Sequence, residues 1–271
     1  MDGFTFNGVE YSKDNGILLM KLPGFFNMSP NKFSVQDNAS KGGSLYSFQG
    51  NRGKQIAINF AVVADSLQEL YNRVDELKLE LDSSLGEKVL SLWFEDDLEI
   101  PRQYRAFVQD ELLVDFISNY SATCSVTFFV TTGFAETQSE YEESYTITTN
   151  PETVSVPETS GEVVPGTVEA LPVIVIKNTG TLTSQIIISN ATSGKSCTWN
   201  GTLENGQWLR MDAQRIHVEK SVDSGSNWVS VVSGLSETDR PIKLSPNVVN
   251  EITLEGISGG TMEVTYRGRY K

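Results

Sequence analysis

The sequence predicts a mainly β protein: an N-terminal β-sandwich or split barrel with one α-helix, followed by a C-terminal antiparallel β-sandwich. Apolar residues recur at every second position in many short segments, which is the period of a strand half buried in a sheet. Turn-forming residues separate these segments, as in all-β folds. The chain has 271 residues, a length that favours two domains over one.

The N-terminal half contains one strong strand pattern followed by one strong helix pattern. Apolar residues alternate from Ile56 to Val62, so they share one face of a pleated strand. Leucine, tyrosine and valine then recur at spacings of three and four, which predicts a helix over about residues 66–82. Ser66 and Glu69 have the form of a capping box and mark the start of that helix.

Changes in composition divide the chain into three segments. Residues 1–133 are predicted to form the N-terminal domain with the helix, and residues 171–271 the C-terminal sandwich. Residues 134–170 are rich in Glu, Ser, Thr and Pro, which predicts an extended linker. Within the first domain, the polar stretch from Asn27 to Gly43 predicts a long loop.

The charge of the chain argues against several classes of partner. The formal net charge is −14; residues 1–150 carry 11 Lys and Arg against 22 Asp and Glu, and residues 151–271 carry 10 against 13. Affinity for nucleic acid or anionic lipid needs clustered Lys and Arg, so we expect neither. There is no run of roughly 20 apolar residues, so we expect no membrane-spanning helix and no membrane partner.

Candidate nucleophiles and metal ligands are few. His217 is the only histidine, and its place in an alternating segment is typical of a strand surface. Cys124 and Cys197 lie far apart in the sequence, and we expect each to be a buried free thiol. A transition-metal site needs more ligands of these types than the chain offers. We therefore predict no metal site.

Two other patterns could support chemistry but have simpler interpretations. Carboxylates are paired at Glu95–Asp97 and Glu142–Glu143, and a glycosidase needs two such groups across a cleft. Adjacent carboxylates in a turn or linker ordinarily only hydrate the surface. The loop Gly50–Lys54 lacks the Gly-Lys-Ser/Thr sequence of a phosphate loop and precedes a strand instead of a helix. We predict no catalytic residue, no cofactor and no enzymatic activity.

Tryptophans in the second domain give the main alternative function. Trp199, Trp208 and Trp228 could form a platform on which sugar rings stack, with Trp208 and Trp228 as the candidate glycan-stacking residues. The protein would then be a carbohydrate-binding, lectin-like module on a virion or cell surface. Tryptophans in a domain of this size are more often part of the core or of a contact between domains.

The order and spacing of these segments resemble the distal tail proteins of siphophages, which are phages with long non-contractile tails. The resemblance covers nearly the whole chain and implies the fold described above, with a C-terminal sandwich of the galectin-like type. The segments that carry it are Phe4–Tyr11, Gly16–Ile17, Arg52–Phe60 with the helix that follows, Tyr104–Val108, Leu171–Asn178, the Asn205–Gly206 turn and Asn250–Gly256.

The resemblance also implies a structural role in the virion. It implies a homo-hexameric ring, single or as two rings back to back, that joins the tail tube to the tail tip or baseplate and carries receptor-binding proteins. DNA would pass through the lumen without specific binding, and the acidic N-terminal half would repel it. The protein would lie at the phage tail tip after synthesis in the bacterial cytoplasm. A tail-tube subunit is a further alternative, but such a subunit does not require the second sandwich.

Ring closure needs a heterologous contact that repeats around one axis. Unpaired sheet edges of the N-terminal domain suit such a contact, because an added strand satisfies their backbone groups. We expect Arg52 and Lys54 of one subunit to meet Asp96 and Asp97 of the next.

Overall fold

The computed structural model describes residues 3–22, 31–38, 43–51, 53–92, 99–236 and 239–271. The chain divides into two compact units, and the division falls after Gln138. No helix in the described ranges is both long enough and apolar enough to cross a membrane.

The N-terminal unit is built from antiparallel strands and one helix. Its elements are β1 (Gly3–Phe6), β2 (Val9–Ser12), β3 (Ile17–Lys21), β4 (Asn31–Asn38), β5 (Gly43–Asn51), β6 (Lys54–Val63), α1 (Leu67–Glu80), β7 (Lys88–Leu92), β8 (Arg102–Val108), β9 (Leu113–Ser118), β10 (Ser121–Val130) and β11 (Ala135–Thr137).

One long sheet contains most of these strands, in the order β2-β1-β7-β8-β10-β6-β3. Strand β10 pairs with β6 along its whole length. On its other side, β10 pairs with β9 over its first half and with β8 over its last residues. Strand β11 lies beside β8, and β4 and β5 form a separate two-stranded sheet.

The long sheet curls around an aromatic core. Phe4 on β1 and Phe60 on β6 have ring centroids 5.9 Å apart, although three strands separate them in the sheet order. Phe128 on β10 lies 4.9 Å from Phe6 on β1. All four side chains are fully buried. The predicted class, a β-sandwich or split barrel with one helix, is confirmed for this unit.

Helix α1 forms where the apolar spacing and the capping box predict it. The Ser66 hydroxyl accepts a hydrogen bond from the Glu69 N–H at 3.2 Å, and the Glu69 carboxylate accepts one from the Asp65 N–H at 3.0 Å. These bonds satisfy two donors at the start of the helix. The helix buries Leu70, Val74 and Leu77. The predicted span of 66–82 is confirmed within two residues at each end.

The prediction of a long loop from Asn27 to Gly43 is wrong for residues 31–38 and 43, which lie in strands; its other residues lie outside the described ones. Residues Asn31–Asn38 form strand β4, which pairs with β5 from Asn31↔Asn51 to Asn38↔Gly43. Polar residues in a two-stranded ribbon give no clear apolar alternation, so composition alone suggested a loop.

The C-terminal unit is an antiparallel sandwich of two sheets. Its strands are β12 (Tyr141–Ile147), β13 (Glu152–Val156), β14 (Val173–Asn178), β15 (Thr183–Asn190), β16 (Lys195–Leu203), β17 (Trp208–Asp212), β18 (His217–Ser221), β19 (Val229–Ser230), β20 (Asn250–Glu255), β21 (Gly260–Tyr266) and β22 (Arg269–Tyr270). One sheet has the order β12-β21-β14-β17-β18-β19 and the other β13-β20-β15-β16. Buried residues of both sheets form one hydrophobic cluster, which confirms the predicted sandwich.

The predicted linker over residues 134–170 is wrong. Strand β11 belongs to the N-terminal sheet, β12 pairs with β21 over seven residues, and β13 pairs with β20 over five. The segment therefore supplies an edge strand to each sheet of the C-terminal sandwich. An edge strand with one exposed side needs few apolar residues, so its composition resembles that of a linker.

Candidate functional site

Four strands of the N-terminal unit form a strip with a free edge on each side. The strip runs β9-β10-β6-β3, and each neighbouring pair is antiparallel. Among the described strands, β9 is hydrogen-bonded only to β10, and β3 only to β6. Such edges present backbone N–H and C=O groups that another strand can pair with.

The β9 edge is unusually apolar for a surface. Leu113 and Ile117 are 67% and 66% exposed. Beside them, Phe116 lies 5.1 Å from Tyr71 of α1, measured between ring centroids, and both rings are about half exposed. Tyr120, in the turn after β9, is also exposed. A contiguous exposed apolar patch of this kind is typical of an interaction surface.

The sequence patterns considered above missed β9. Its apolar residues do not alternate, because both faces of the strand are exposed and the strand buries none of its side chains. The signal that could have found it is the apolar density of residues 112–117 between polar neighbours.

The β3 edge is also apolar but carries a cation. Leu18 and Met20 are exposed, and Lys21 ends the strand. Cross-strand register places the edge residues of β9 and β3 in shared rows. One row is Asp115, Thr123, Ala61 and Leu18, and the next but one is Leu113, Ser125, Asn59 and Lys21.

The two central strands of the strip have one buried and one open face. The buried face holds alternating residues of β6 and β10 such as Phe60 and Phe128. We call the opposite side, whose residues are partly or fully exposed, the open face. Its ten positions are Gln55, Ala57, Asn59, Ala61 and Val63 on β6 with Ser121, Thr123, Ser125, Thr127 and Phe129 on β10.

The predicted interface residues lie mostly outside the described residues. Arg52, Asp96 and Asp97 are among the undescribed positions. Lys54 begins β6, and its Nζ lies 5.8 Å from the centroid of the Tyr104 ring. The pairing of Arg52 and Lys54 with Asp96 and Asp97 of a neighbouring subunit stays a prediction.

The candidate glycan-stacking tryptophans each have a cation over the ring. The Lys177 Nζ lies 4.4 Å from the centroid of Trp208, and the Arg210 guanidinium carbon lies 4.4 Å from that of Trp228. Such cation–π contacts occupy ring surface that a sugar would need. The Gly225 backbone also packs so closely on Trp208 that a Cβ there would lie 2.7 Å from the ring.

The two cations are themselves paired with carboxylates. Arg210 Nε donates to a Glu219 oxygen at 2.8 Å, and Lys177 pairs with Glu263. His217 lies beside the same Glu219, with its Nε2 3.7 Å from Oε1. These side chains stand on neighbouring strands of the six-stranded sheet, so they form a cross-strand network on its outer side.

Trp199, the third tryptophan, belongs to the core. It is buried, and its Nε1 donates to the Val231 carbonyl at 3.1 Å. Gly201 and Gly234 pack against it so closely that a Cβ at either position would lie 2.4 Å from the indole. It does not contribute to a surface platform.

The thiols and carboxylates fit structural roles. Cys124 and Cys197 are buried free thiols, as predicted, and burial raises their pKa values to about 11 and about 12. Glu143 accepts a hydrogen bond from the Glu158 N–H at 3.2 Å and one from the Tyr145 hydroxyl at 3.3 Å. Within the described ranges, no three His, Cys, Asp or Glu side chains cluster as a metal site would require.

Comparison with known proteins gives likeness at the level of structure only. The sequence matches no known family model and no curated protein. Over 100% of both chains, the structure is similar to the Dit protein of phage SPP1, with a TM-score of 0.68 and 11% identity. That protein is described as a paradigm of the hub adsorption apparatus in phages that infect Gram-positive bacteria.

A weaker likeness is to the baseplate of phage P2 in its activated conformation, solved with calcium and with strontium. It covers 98% of both chains at a TM-score of 0.47 and 9% identity, which is too low to carry an argument. The match to the SPP1 protein covers both units. The chain therefore has the fold of a phage distal tail protein, as the resemblance in its sequence predicted.

Proposed function

We propose that this protein is a structural hub of a phage tail tip, and that it acts by assembly and not by catalysis. In this proposal six copies form a ring that joins the tail tube to the tail tip or baseplate and carries receptor-binding proteins. The observation that carries it is the likeness to the SPP1 hub protein over the full length of both chains. The free edges of the four-strand strip supply a means of closing the ring.

The direction of the strands suits ring closure. In the strip β9-β10-β6-β3 every neighbouring pair is antiparallel, so β9 and β3 run in opposite directions. Rotation about a ring axis preserves strand direction around the ring. It therefore brings β9 of one copy beside β3 of the next as an antiparallel pair, which joins the two strips through backbone hydrogen bonds.

The side chains of the two edges are complementary. Leu113 on β9 and Leu18 on β3 are exposed apolar residues that such a joint would bury. Asp115 on β9 and Lys21 on β3 stand in rows of the strip that are separated by one row. In this proposal the rows continue across the joint, where the two residues would be diagonal neighbours of opposite charge, at a distance that long side chains bridge.

Charge exchange at these two positions tests the joint. Asp115→Lys or Lys21→Glu alone would place like charges together, so we expect fewer rings by native mass spectrometry. The double variant restores opposite charges in the reverse order, and we expect it to recover rings. Asp110→Lys, at an exposed residue outside the strip, is the matched control. Equal loss in both single variants and the double variant would contradict the joint.

In this proposal the C-terminal sandwich holds the proteins that contact the host. Its supporting feature is that it forms a compact unit of its own, with a separate core. Pull-downs with tail-tip proteins of the same phage test the assignment. They compare the full chain with a variant truncated after Gln138, which lacks the C-terminal sandwich. Equal capture by both forms would reject it.

A further inference from the structure

A groove of about 240 Å³ lies between strand β3 and helix α1. Its apolar lining includes Ile17, Val62 and Leu77, whose side chains are buried. Its charged lining is more exposed and consists of one guanidinium and three carboxylates, those of Arg73, Glu10, Glu76 and Glu80. A cavity of about 150 Å³ holds a benzene molecule in another protein, so this groove has room for an aromatic side chain.

Tyr11 also lines the groove, and its hydroxyl is buried without a hydrogen bond of normal geometry to any described residue. The side chain is 1% exposed, and its ring stacks on that of Phe4 with the centroids 4.6 Å apart. Burial raises the pKa of the hydroxyl, and the nearby Glu80 carboxylate raises it further, so the group stays protonated. A buried polar group without a partner lowers stability, so a group that bonds to it gains free energy.

The Arg73 guanidinium is held in place at the border of the groove. Its Nη2 donates to the Asn15 carbonyl at 2.8 Å, and its Nη1 lies 3.9 Å from a Glu76 carboxylate oxygen. A guanidinium bonded through its N–H groups still presents flat faces on which an aromatic ring can stack. The groove therefore suits an aromatic side chain that carries a hydroxyl.

A pair of aromatic side chains that includes a tyrosine stands at the opposite edge of the strip. The rings of Tyr71 and Phe116 have centroids 5.1 Å apart and are 49% and 46% exposed. Cross-strand register places Phe116 in a row with Ala122, Val62 and Ile17. Ile17 ends that row and lines the groove. The aromatic pair and the groove therefore lie at the two ends of one row.

We propose that the groove beside β3 receives the Tyr71–Phe116 pair of the neighbouring copy. This inference rests on the proposed ring. When β9 of one copy extends the rows of the next, Phe116 comes to lie beside Ile17 of that copy. One ring of the pair then stacks on the Arg73 guanidinium, and the Tyr71 hydroxyl bonds to the Tyr11 hydroxyl. The contact buries aromatic surface that is exposed in the free chain and gives the buried hydroxyl a partner.

Removal of the Tyr11 hydroxyl tests the contact, because its expected effects on the protomer and on assembly differ. Tyr11→Phe keeps the ring that stacks on Phe4 and removes a buried hydroxyl without a partner, so the isolated chain should unfold at an equal or higher denaturant concentration. The concentration at half assembly, measured by analytical ultracentrifugation, should rise roughly 2- to 12-fold, the factor of one net hydrogen bond. An unchanged concentration at half assembly would overturn the inference.

Tyr266→Phe is the matched control. The Tyr266 hydroxyl is also buried without a hydrogen-bond partner among the described residues, but it lies on β21 of the C-terminal sandwich. Its removal should leave assembly unchanged. Equal weakening of assembly by Tyr266→Phe and Tyr11→Phe would show an effect unrelated to the groove, which also overturns the inference.

A double-mutant cycle with Tyr71→Phe measures the coupling of the two hydroxyls across the contact. Tyr71→Phe removes only the second hydroxyl and keeps the ring that packs on Phe116. If the hydroxyls bond to each other, the double variant should assemble no more weakly than the weaker of the two single variants. Fold changes that multiply in the double variant would place the hydroxyls apart and overturn the inference.

A disulfide across the joint separates this inference from the proposed function. Asp115 and Leu18 end a row on the open face, and the native Cys124 and Cys197 are buried free thiols. Asp115→Cys with Leu18→Cys should therefore give covalent ladders of up to six chains under mild oxidation, since paired strands bring Cα atoms within disulfide range.

The outcomes assign any failure to one proposal or to both. If neither ladder nor ring forms, the proposed function fails, and the inference fails with it. If the ladder forms but Tyr11→Phe assembles like the unmodified protein, only the inference fails. Rings without the ladder would mean that copies meet through other edges, which overturns the inference and leaves the ring standing.

Discussion

At the scale of single residues, many polar contacts serve to hold turns and strands. The cation over each candidate tryptophan is an example, since Arg210 contacts both Trp228 and Glu219. Sequence reasoning found the aromatic residues but could not find their partners. Arg210 lies 18 positions before Trp228, and only the pairing of β17 with β18 and of β18 with β19 brings them together.

We expect Trp228→Ala to change stability and not to remove a binding activity. Loss of the contact with Arg210 should cost roughly 0.5–1 kcal/mol in the free energy of unfolding, the usual range for an exposed cation–π contact. A double-mutant cycle with Arg210→Ala measures this coupling by denaturant unfolding. Glycan-array binding by the unmodified protein that disappears in Trp228→Ala would instead favour the carbohydrate-binding alternative.

We expect acid to destabilise the C-terminal unit through Glu152. N–H groups of Thr149 and Thr148 donate to its carboxylate at 2.9 and 3.1 Å and lower its pKa from 4.5 to about 2. Because the pKa is lower in the folded state, the stabilisation is present above pH 4.5 and is lost as the pH falls toward 2.

Melting temperatures measured across this pH range check the effect. Glu152→Gln should melt lower than the unmodified protein at neutral pH, and the difference should shrink as the pH approaches 2. The exposed Glu204→Gln, on another turn, is the matched control. A difference that stays constant across the range would contradict the role of ionised Glu152.

At the scale of elements, the regular spacing of apolar residues predicted those strands and helices that have one buried face. The strand at Ile56–Val62 and the helix α1 were predicted because each has one buried face, which imposes a period of two or of 3.6 residues. Strands β9, β12 and β13 lie at sheet edges and were missed or assigned to a linker. An edge strand with few buried side chains has no period to detect, so the main candidate surface could not be predicted from the sequence.

Strand β9 should contribute to assembly and not to the stability of the protomer. Leu113→Thr with Ile117→Thr removes exposed apolar surface and places at both positions a β-branched residue, which suits a strand. We expect the free energy of unfolding to change by less than about 0.5 kcal/mol, as for other surface substitutions. Ring formation, measured by analytical ultracentrifugation, should weaken.

The comparison variant is Val126→Thr on the adjacent strand, where the side chain is buried. It should lower protomer stability instead. If the double threonine variant destabilises the protomer as much as Val126→Thr does, β9 is part of the core and its role in assembly is wrong.

At the scale of the whole molecule, the two units divide the proposed work. The N-terminal unit offers two sheet edges, β9 and β3, which run in opposite directions and each pair with one strand among the described residues. The C-terminal unit is a closed sandwich with its own core. The sequence predicted two domains, but it placed a linker over residues 134–170 where the structure has strands of both units. The proposed ring contacts depend on edge strands, and the order of segments did not predict those contacts.

All the proposals above require that copies of this protein close into a ring. Negative-stain imaging of the purified full-length chain tests this directly. We expect class averages with six-fold symmetry and an open central hole, together with the mass of six chains in native mass spectrometry. Monomers at every concentration, or an assembly with no hole on its axis, would contradict it.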